Sequence, residues 1–170
     1  MFDISKIRIV DDFPKKGIKF FDITTILNDA ESFHELFEAL LKKARSMNPE
    51  VITALEARGY IFAPALALAL NIPFVPLRKK GKLPYKTYSE QYNLEYGHET
   101  IEVHIDAIKP HQRILIFDDV LATGGTAAAA AKLMQHFNPQ DISFLFLLEL
   151  SFLKGKEQLT NFNVERLITV

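Results

Sequence analysis

Asp118 and Asp119 stand side by side, four residues ahead of the string Thr123-Gly124-Gly125-Thr126, and an alanine run at 127–131 follows directly. Adjacent carboxylates repel, so the pair costs stability unless a ligand uses both acids. The turn has the opposite preference. A dianionic phosphate is held best by backbone N–H groups at a helix start, where the macrodipole adds favourable potential. Gly124 and Gly125 let the chain wrap closely, and Thr123 and Thr126 add hydroxyl donors. Asp118 and Asp119 are acceptors and suit something else: the vicinal hydroxyls of a ribose, or a Mg²⁺ carried by the ligand. The chemistry favoured is capture of a sugar phosphate with unblocked hydroxyls. The string is neither a Walker A sequence nor a GxGxxG fingerprint. Taken as generic turn chemistry, a glycine-containing bend with two exposed acids is the plainer reading; the whole string is more specific than that.

The surrounding elements must hold this string at an edge. Apolar Arg113–Phe117 predicts a buried strand entering it, and 126–137 predicts the helix leaving it, ended by Asn138-Pro139. "SFHELFEALLKKARSM" (32–47) has helical apolar spacing, with Ser32 and Glu35 in a capping-box pattern. Strands are expected at 50–55, 73–77, 101–105 and 141–150, with a turn at 56–59 and a helix over 60–70. The segment 87–100 is long, polar and tyrosine-rich with no packed stripe, and reads as a lid. Alternating strand and helix predicts an α/β fold with a mainly parallel sheet covered on both faces, where ligands gather at the strands' carboxyl ends. No repeat or linker divides the 170 residues, so one domain over 1–170 is expected.

Composition narrows the classes. The formal net charge of −1 argues against a general nucleic-acid binder. With no cysteine there is no disulfide, zinc-thiolate or thiol chemistry, which suits a reducing cytoplasm. No signal-peptide pattern opens the chain, and the apolar stretch 60–77 is interrupted by Pro64, Asn71 and Pro73, so no membrane span is expected. The five histidines, at 34, 98, 104, 111 and 136, show no metal-ligand spacing.

"FDDVLATGGT" resembles the phosphoribosyl-pyrophosphate motif of the type I phosphoribosyltransferases, in the form of their adenine branch. The resemblance continues in order through "DFPKKGIKFFDITTIL", "LEARGYIF", "VPLRKKGKLP", "YNLEYG" and "LLELSFLKGKEQL". It implies a Rossmann-like α/β fold with a small hood at about 1–30 and a flexible β-hairpin lid at about 82–103. It implies a purine-salvage transferase joining adenine to 5-phospho-α-D-ribose 1-diphosphate (PRPP), giving AMP and diphosphate with Mg²⁺, as a cytoplasmic homodimer.

Residue by residue, it places the 5′-phosphate on Ala122, Thr123, Gly124, Gly125 and Thr126, and the ribose on Asp118 and Asp119, with a mainly substrate-borne Mg²⁺ near those two acids. Displacing diphosphate requires a second anion site, and the strand-turn-helix junction at Arg58-Gly59 is the candidate. The resemblance assigns the diphosphate to Ala57 and Arg58, with Lys82 approaching it and Arg78 reaching a neighbouring subunit's site. The plainer readings are an ordinary turn and a solvated basic loop. Glu95 becomes the proton-transfer residue facing purine N7, with Tyr96 beside the reacting centre. Desolvation on lid closure would raise Glu95's pKa toward neutrality.

Base choice follows from position 122. The 6-oxopurine branch normally carries an acid there, and this chain has Ala122, which cannot move a proton. Adenine is favoured, stacked on Phe20, with Lys19's carbonyl and Phe21's amide reading its edge and Leu150 on the other face. Phe21 stands where many members have arginine, and core filling is its simplest explanation. Two competitors remain: a transferase for another base, and a non-catalytic regulatory protein that senses PRPP.

Overall fold

The long helix starts three residues earlier than its capping pattern predicts. In this computed structural model, which describes residues 4–13, 15–17, 19–93 and 97–170, the helix is Ala30–Ser46. Asp29 is the cap: its Oδ2 accepts the Ser32 amide at 2.9 Å, and its carbonyl accepts the Phe33 amide. Ser32 is inside the first turn and buried, and Glu35 pairs with Lys6 at 2.8 Å, so the expected capping box does not form.

The chain divides into two compact units, 1–40 and 41–170. The first holds an antiparallel hairpin, β1 (Arg8–Asp11) and β2 (Lys19–Asp22), with Val10 opposite Phe20. A short helix, α1 (Thr24–Leu27), follows, and Asp22 accepts the Thr24 amide at 3.0 Å. The helix Ala30–Ser46, α2, begins in the first unit and ends in the second.

The second unit contains β3 (Val51–Leu55), α3 (Ala63–Leu70), β4 (Phe74–Lys79), β5 (Thr87–Asn93) and β6 (His98–His104). After them come β7 (Arg113–Leu121), α4 (Gly125–Gln135), β8 (Asp141–Glu149) and β9 (Asn163–Thr169). The sheet order is β5-β6-β4-β3-β7-β8-β9; β4, β3, β7, β8 and β9 run parallel, and the β5–β6 hairpin joins antiparallel at one edge. Parallel strands covered on both faces need apolar side chains in both directions. Ile114 and Ile116 of β7 join the α4 alanines in one buried cluster, while Phe117 points the other way and meets Phe62, just before α3, at 6.1 Å.

Two differences from the sequence expectation bear on the site. β7 runs to Leu121, so Asp118 and Asp119 are strand residues and not part of the turn. The stretch 87–100 does carry a packed face: Tyr88 and Tyr92 lie against the core, and Tyr88 stacks on His136 at 4.6 Å. Strand alternation placed these rings on one side, a period a helical stripe search misses. No helix among the described residues is long and apolar enough to cross a membrane.

Candidate active site

A cleft of about 350 Å³ opens at the carboxyl ends of β3 and β7, the adjacent parallel strands at the centre of the sheet. That volume is within the range of small-ligand pockets. Of the anticipated anion and sugar residues, Ala57, Arg58, Asp118, Asp119, Ala122, Thr123, Gly124 and Thr126 all line it.

The turn after β7 is built by glycine. Gly124 adopts φ +83° at the start of α4 and has no side chain to cap the helix. The first amides of this eleven-residue helix therefore meet no side-chain cap from Gly124, and they carry the positive end of the macrodipole. Thr123 is exposed at the mouth and Thr126 is half-buried.

The second turn follows β3. The Glu56–Ala57 peptide is cis, and a 3₁₀ turn runs over Arg58–Ile61. Gly59 packs against the floor of the first turn: a Cβ there would stand 3.3 Å from the Phe117 carbonyl and 3.4 Å from Asp118 Oδ1. Arg58 Nε reaches Asp119 Oδ2 at 2.9 Å, an ionic contact in which that oxygen accepts no well-directed hydrogen bond. Asp118 Oδ1 accepts the Asp119 amide at 2.9 Å.

Burial raises the Asp118 carboxyl above the ordinary range, and the neighbouring Asp119 charge raises it further. Burial raises Asp119 as well, against the pull of Arg58. The two acids are not the exposed pair that the plainer reading requires. Donor-poor and acceptor-rich, they suit vicinal hydroxyls.

Arg78 is engaged within its own chain. Its Nε and Nη2 both lie 3.2 Å from Glu56 Oε2, and Nη1 donates to the Lys82 carbonyl at 3.1 Å. Glu56 Oε1 accepts the Lys79 amide at 2.7 Å. Burial pushes the Glu56 carboxyl up, and these bonds more than offset it, leaving it below the usual range. Arg78 and Lys82 thus brace the second turn from behind and do not line the cleft.

Three lining residues were given no role of their own by the sequence: Lys79, which it noted only within the basic run 78–86, Tyr92 and Glu99. Tyr92 and Glu99 face each other across the β5–β6 hairpin; the phenol donates to Glu99 Oε2 at 2.9 Å, and Lys79 pairs with the other carboxylate oxygen. Burial, then the Glu99 bond, pushes the Tyr92 hydroxyl up to about 12. Only the hairpin register brings these side chains together, and a sequence-level pairing of 87–93 with 98–104 would have found it.

Of the residues expected to hold the base, Lys19, Phe20 and Phe21 belong to the first unit and Leu150 to the second. In the first unit, Phe20 meets Phe13 edge-on at 5.1 Å, Phe21 is buried and Lys19 is exposed. In the second, Leu150 follows β8 and its amide donates to the Leu121 carbonyl at 2.9 Å, beside the end of the strand that carries the aspartates. Glu95 and Tyr96 lie outside the described residues.

No group of three or more metal-ligating side chains occurs among the described residues. Two adjacent carboxylates, one already facing Arg58, fit a Mg²⁺ that draws most of its oxygens from phosphates and water.

Comparison with known proteins agrees with this geometry. Residues 23–160 match the model of the phosphoribosyl transferase domain. The chain is 51% identical to the adenine phosphoribosyltransferase of Desulfitobacterium hafniense, over 95% of this chain and 94% of that protein. It superposes on the crystal structure of adenine phosphoribosyltransferase from Thermoanaerobacter pseudethanolicus with a TM-score of 0.92, at 46% identity, covering 98% and 96% of the two chains. The Saccharomyces cerevisiae enzyme, in complex with an imino-altritol bisphosphate and adenine, matches with a TM-score of 0.87 at 37% identity, covering 94% and 93%.

Proposed function

The chain belongs to the adenine phosphoribosyltransferases, within the phosphoribosyltransferase family, and from that premise we propose how its cleft carries out the reaction. It transfers the phosphoribosyl group of PRPP to adenine, a purine-salvage step that yields AMP and diphosphate. The bond from C1′ to the diphosphate oxygen breaks with its electron pair leaving on diphosphate. N9 of adenine bonds to C1′, and one proton leaves the imidazole ring.

The α4 amides, with Thr123 and Thr126, hold the 5′-phosphate, and Ala122, Gly124 and Gly125 shape the turn around it. Asp118 and Asp119 accept from the ribose hydroxyls. Ala57 and Arg58 hold the diphosphate across the cleft, with Arg78 and Lys82 fixing that turn through Glu56. A Mg²⁺ carried mainly by the substrate's oxygens, near Asp118 and Asp119, would offset charge on the departing diphosphate. Pinning both ends of one molecule fixes C1′ in place, so much of the entropy of orientation is removed before reaction. Glu95 takes the N7 proton with Tyr96 beside the reacting centre; Phe20 is the stacking ring for the base, the backbones of Lys19 and Phe21 suit its edge, and Leu150 is the base-binding residue of the second unit. The reading includes a cytoplasmic homodimer, which sedimentation tests.

The observation that supports it is that the turns after β3 and β7 line one cleft, with Arg58 of the first paired to Asp119 of β7. The test is direct: adenine, PRPP and Mg²⁺ with the purified chain must give AMP. Absence of AMP formation at micromolar enzyme rejects the assignment.

A further inference from the structure

The stretch "LKGKEQL" (153–159) carries part of the family resemblance yet has no part in the chemistry above. After β8 the chain makes two 3₁₀ turns, Ser151–Leu153 and Gly155–Leu159, with Lys154 between them at φ +54°. The second turn is anchored by Leu159, 1% exposed in the same cluster as the α4 alanines.

Gly155 is buried and lies backbone to backbone against the phosphate turn. A Cβ at Gly155 would stand 2.1 Å from the Ala122 carbonyl oxygen and 3.0 Å from the Gly124 nitrogen. A Cβ at Gly124 would stand 2.3 Å from the Gly155 carbonyl oxygen and 3.1 Å from Gln158 Cβ. The nearest obstructing atoms are backbone, so no side-chain rotation relieves either contact. The arrangement also answers a physical need. Gly124 takes a conformation open to glycine and costly to other residues, so the turn that must aim amides at one point is built on the most permissive residue. A rigid surface behind it restricts that freedom.

We infer that Gly155 is a positioning residue for the 5′-phosphate: the Gly155–Leu159 turn is the floor that sets the Ala122–Thr126 amides. The inference rests on the reading that these amides bind phosphate. It assigns Gly155 no substrate contact.

The test is Gly155→Ala, titrated calorimetrically with ribose 5-phosphate and separately with pyrophosphate, alongside circular dichroism to check folding. Ribose 5-phosphate affinity falls about ten-fold or more, since displacement near 1 Å costs up to about 10²-fold at a preorganised site. Pyrophosphate, held by the Ala57–Arg58 turn, changes by less than about two-fold. In steady-state assays KM for PRPP rises while KM for adenine does not. A folded variant that binds ribose 5-phosphate like the parent overturns the inference. If Gly155→Ala does not fold, Leu159→Ala loosens the same floor from its anchor and gives the same selective loss; equal loss of both ligands, or loss of neither, overturns it. A parent protein that fails to bind ribose 5-phosphate removes the phosphate-turn reading itself, which separates the two failures.

Discussion

Nε of Arg58 lies 2.9 Å from Oδ2 of Asp119; Arg58 opens the turn after β3, and Asp119 lies near the end of β7, the neighbouring parallel strand. The pair is unequal. The Asp119 side chain is 3% exposed and that of Arg58 47%. The carboxylate is buried while about half of the arginine side chain remains in water. On the proposed reading, Arg58 meets an incoming diphosphate while it neutralises the acid beneath, so the two halves of the substrate site share one charge.

Arg58→Ala should weaken both ligands for that reason. Pyrophosphate loses its cation, and ribose 5-phosphate meets an Asp119 whose burial is uncompensated. Combined with Asp119→Ala, the losses in ribose 5-phosphate affinity should fall short of their sum, with a coupling of about 0.5–3 kcal/mol by calorimetry. Strictly additive losses would show that the turns act independently. Because Arg58 is half exposed, the thermal cost should be about 1 kcal/mol, below the 3–5 kcal/mol of a fully buried pair.

The aspartates predict a trade of stability against binding. Burial and the Asp119 charge raise the folded Asp118 pKa above its unfolded value, so the folded state keeps a proton that the unfolded chain has released. Below the unfolded value of about 3.9 the group costs nothing. As pH rises toward the raised folded value the cost grows, and then it levels. Asp118→Asn should match the parent's thermal midpoint at about pH 3.5 and exceed it by a few degrees near pH 9, while losing affinity for AMP. Parallel melting curves across that range would remove the electrostatic account of the pair.

The strand-to-helix turn at Ala122–Thr126 was legible because its signals are local: glycines, hydroxyls and a helix former in one string. The same holds for Arg58-Gly59, and the alternation that fixes the sheet. What stayed hidden depends on register or on distant packing. Tyr92 and Glu99 become neighbours only through the β5–β6 pairing, and Gly155 meets Gly124 only after β8 has returned beside β7. β9 gave no signal because "NVERLIT" mixes charge into its apolar alternation. The helix cap misled because Ser32 satisfied a pattern that Asp29, three residues before it, satisfies in fact.

Glu95→Gln isolates the proton transfer. The amide keeps size and polarity and cannot take a proton, so kcat should fall by about 10²–10⁴-fold. Ribose 5-phosphate and pyrophosphate binding, which the two turns supply, should be retained within about two-fold. Near-normal turnover would move the proton-transfer role to another group.

Base choice turns on Ala122 and on the missing arginine at Phe21. An alanine at 122 leaves no acid on the phosphate turn to serve a 6-oxopurine, and it lines the cleft where that acid would stand. Phe21 is buried and carries no polar group, so on the proposed reading discrimination falls to the backbone of Lys19 and Phe21. A donor–acceptor pair matched to adenine N6 and N1 is inverted by hypoxanthine and guanine, which leaves buried polar groups unpaired and costs at least about 10²-fold in kcat/KM. Competition among the three bases at fixed PRPP measures this. Restoring Phe21→Arg should then tighten KM for adenine without creating guanine turnover, since the edge is read by amides the substitution does not move; guanine turnover in that variant would place base specificity in the side chain.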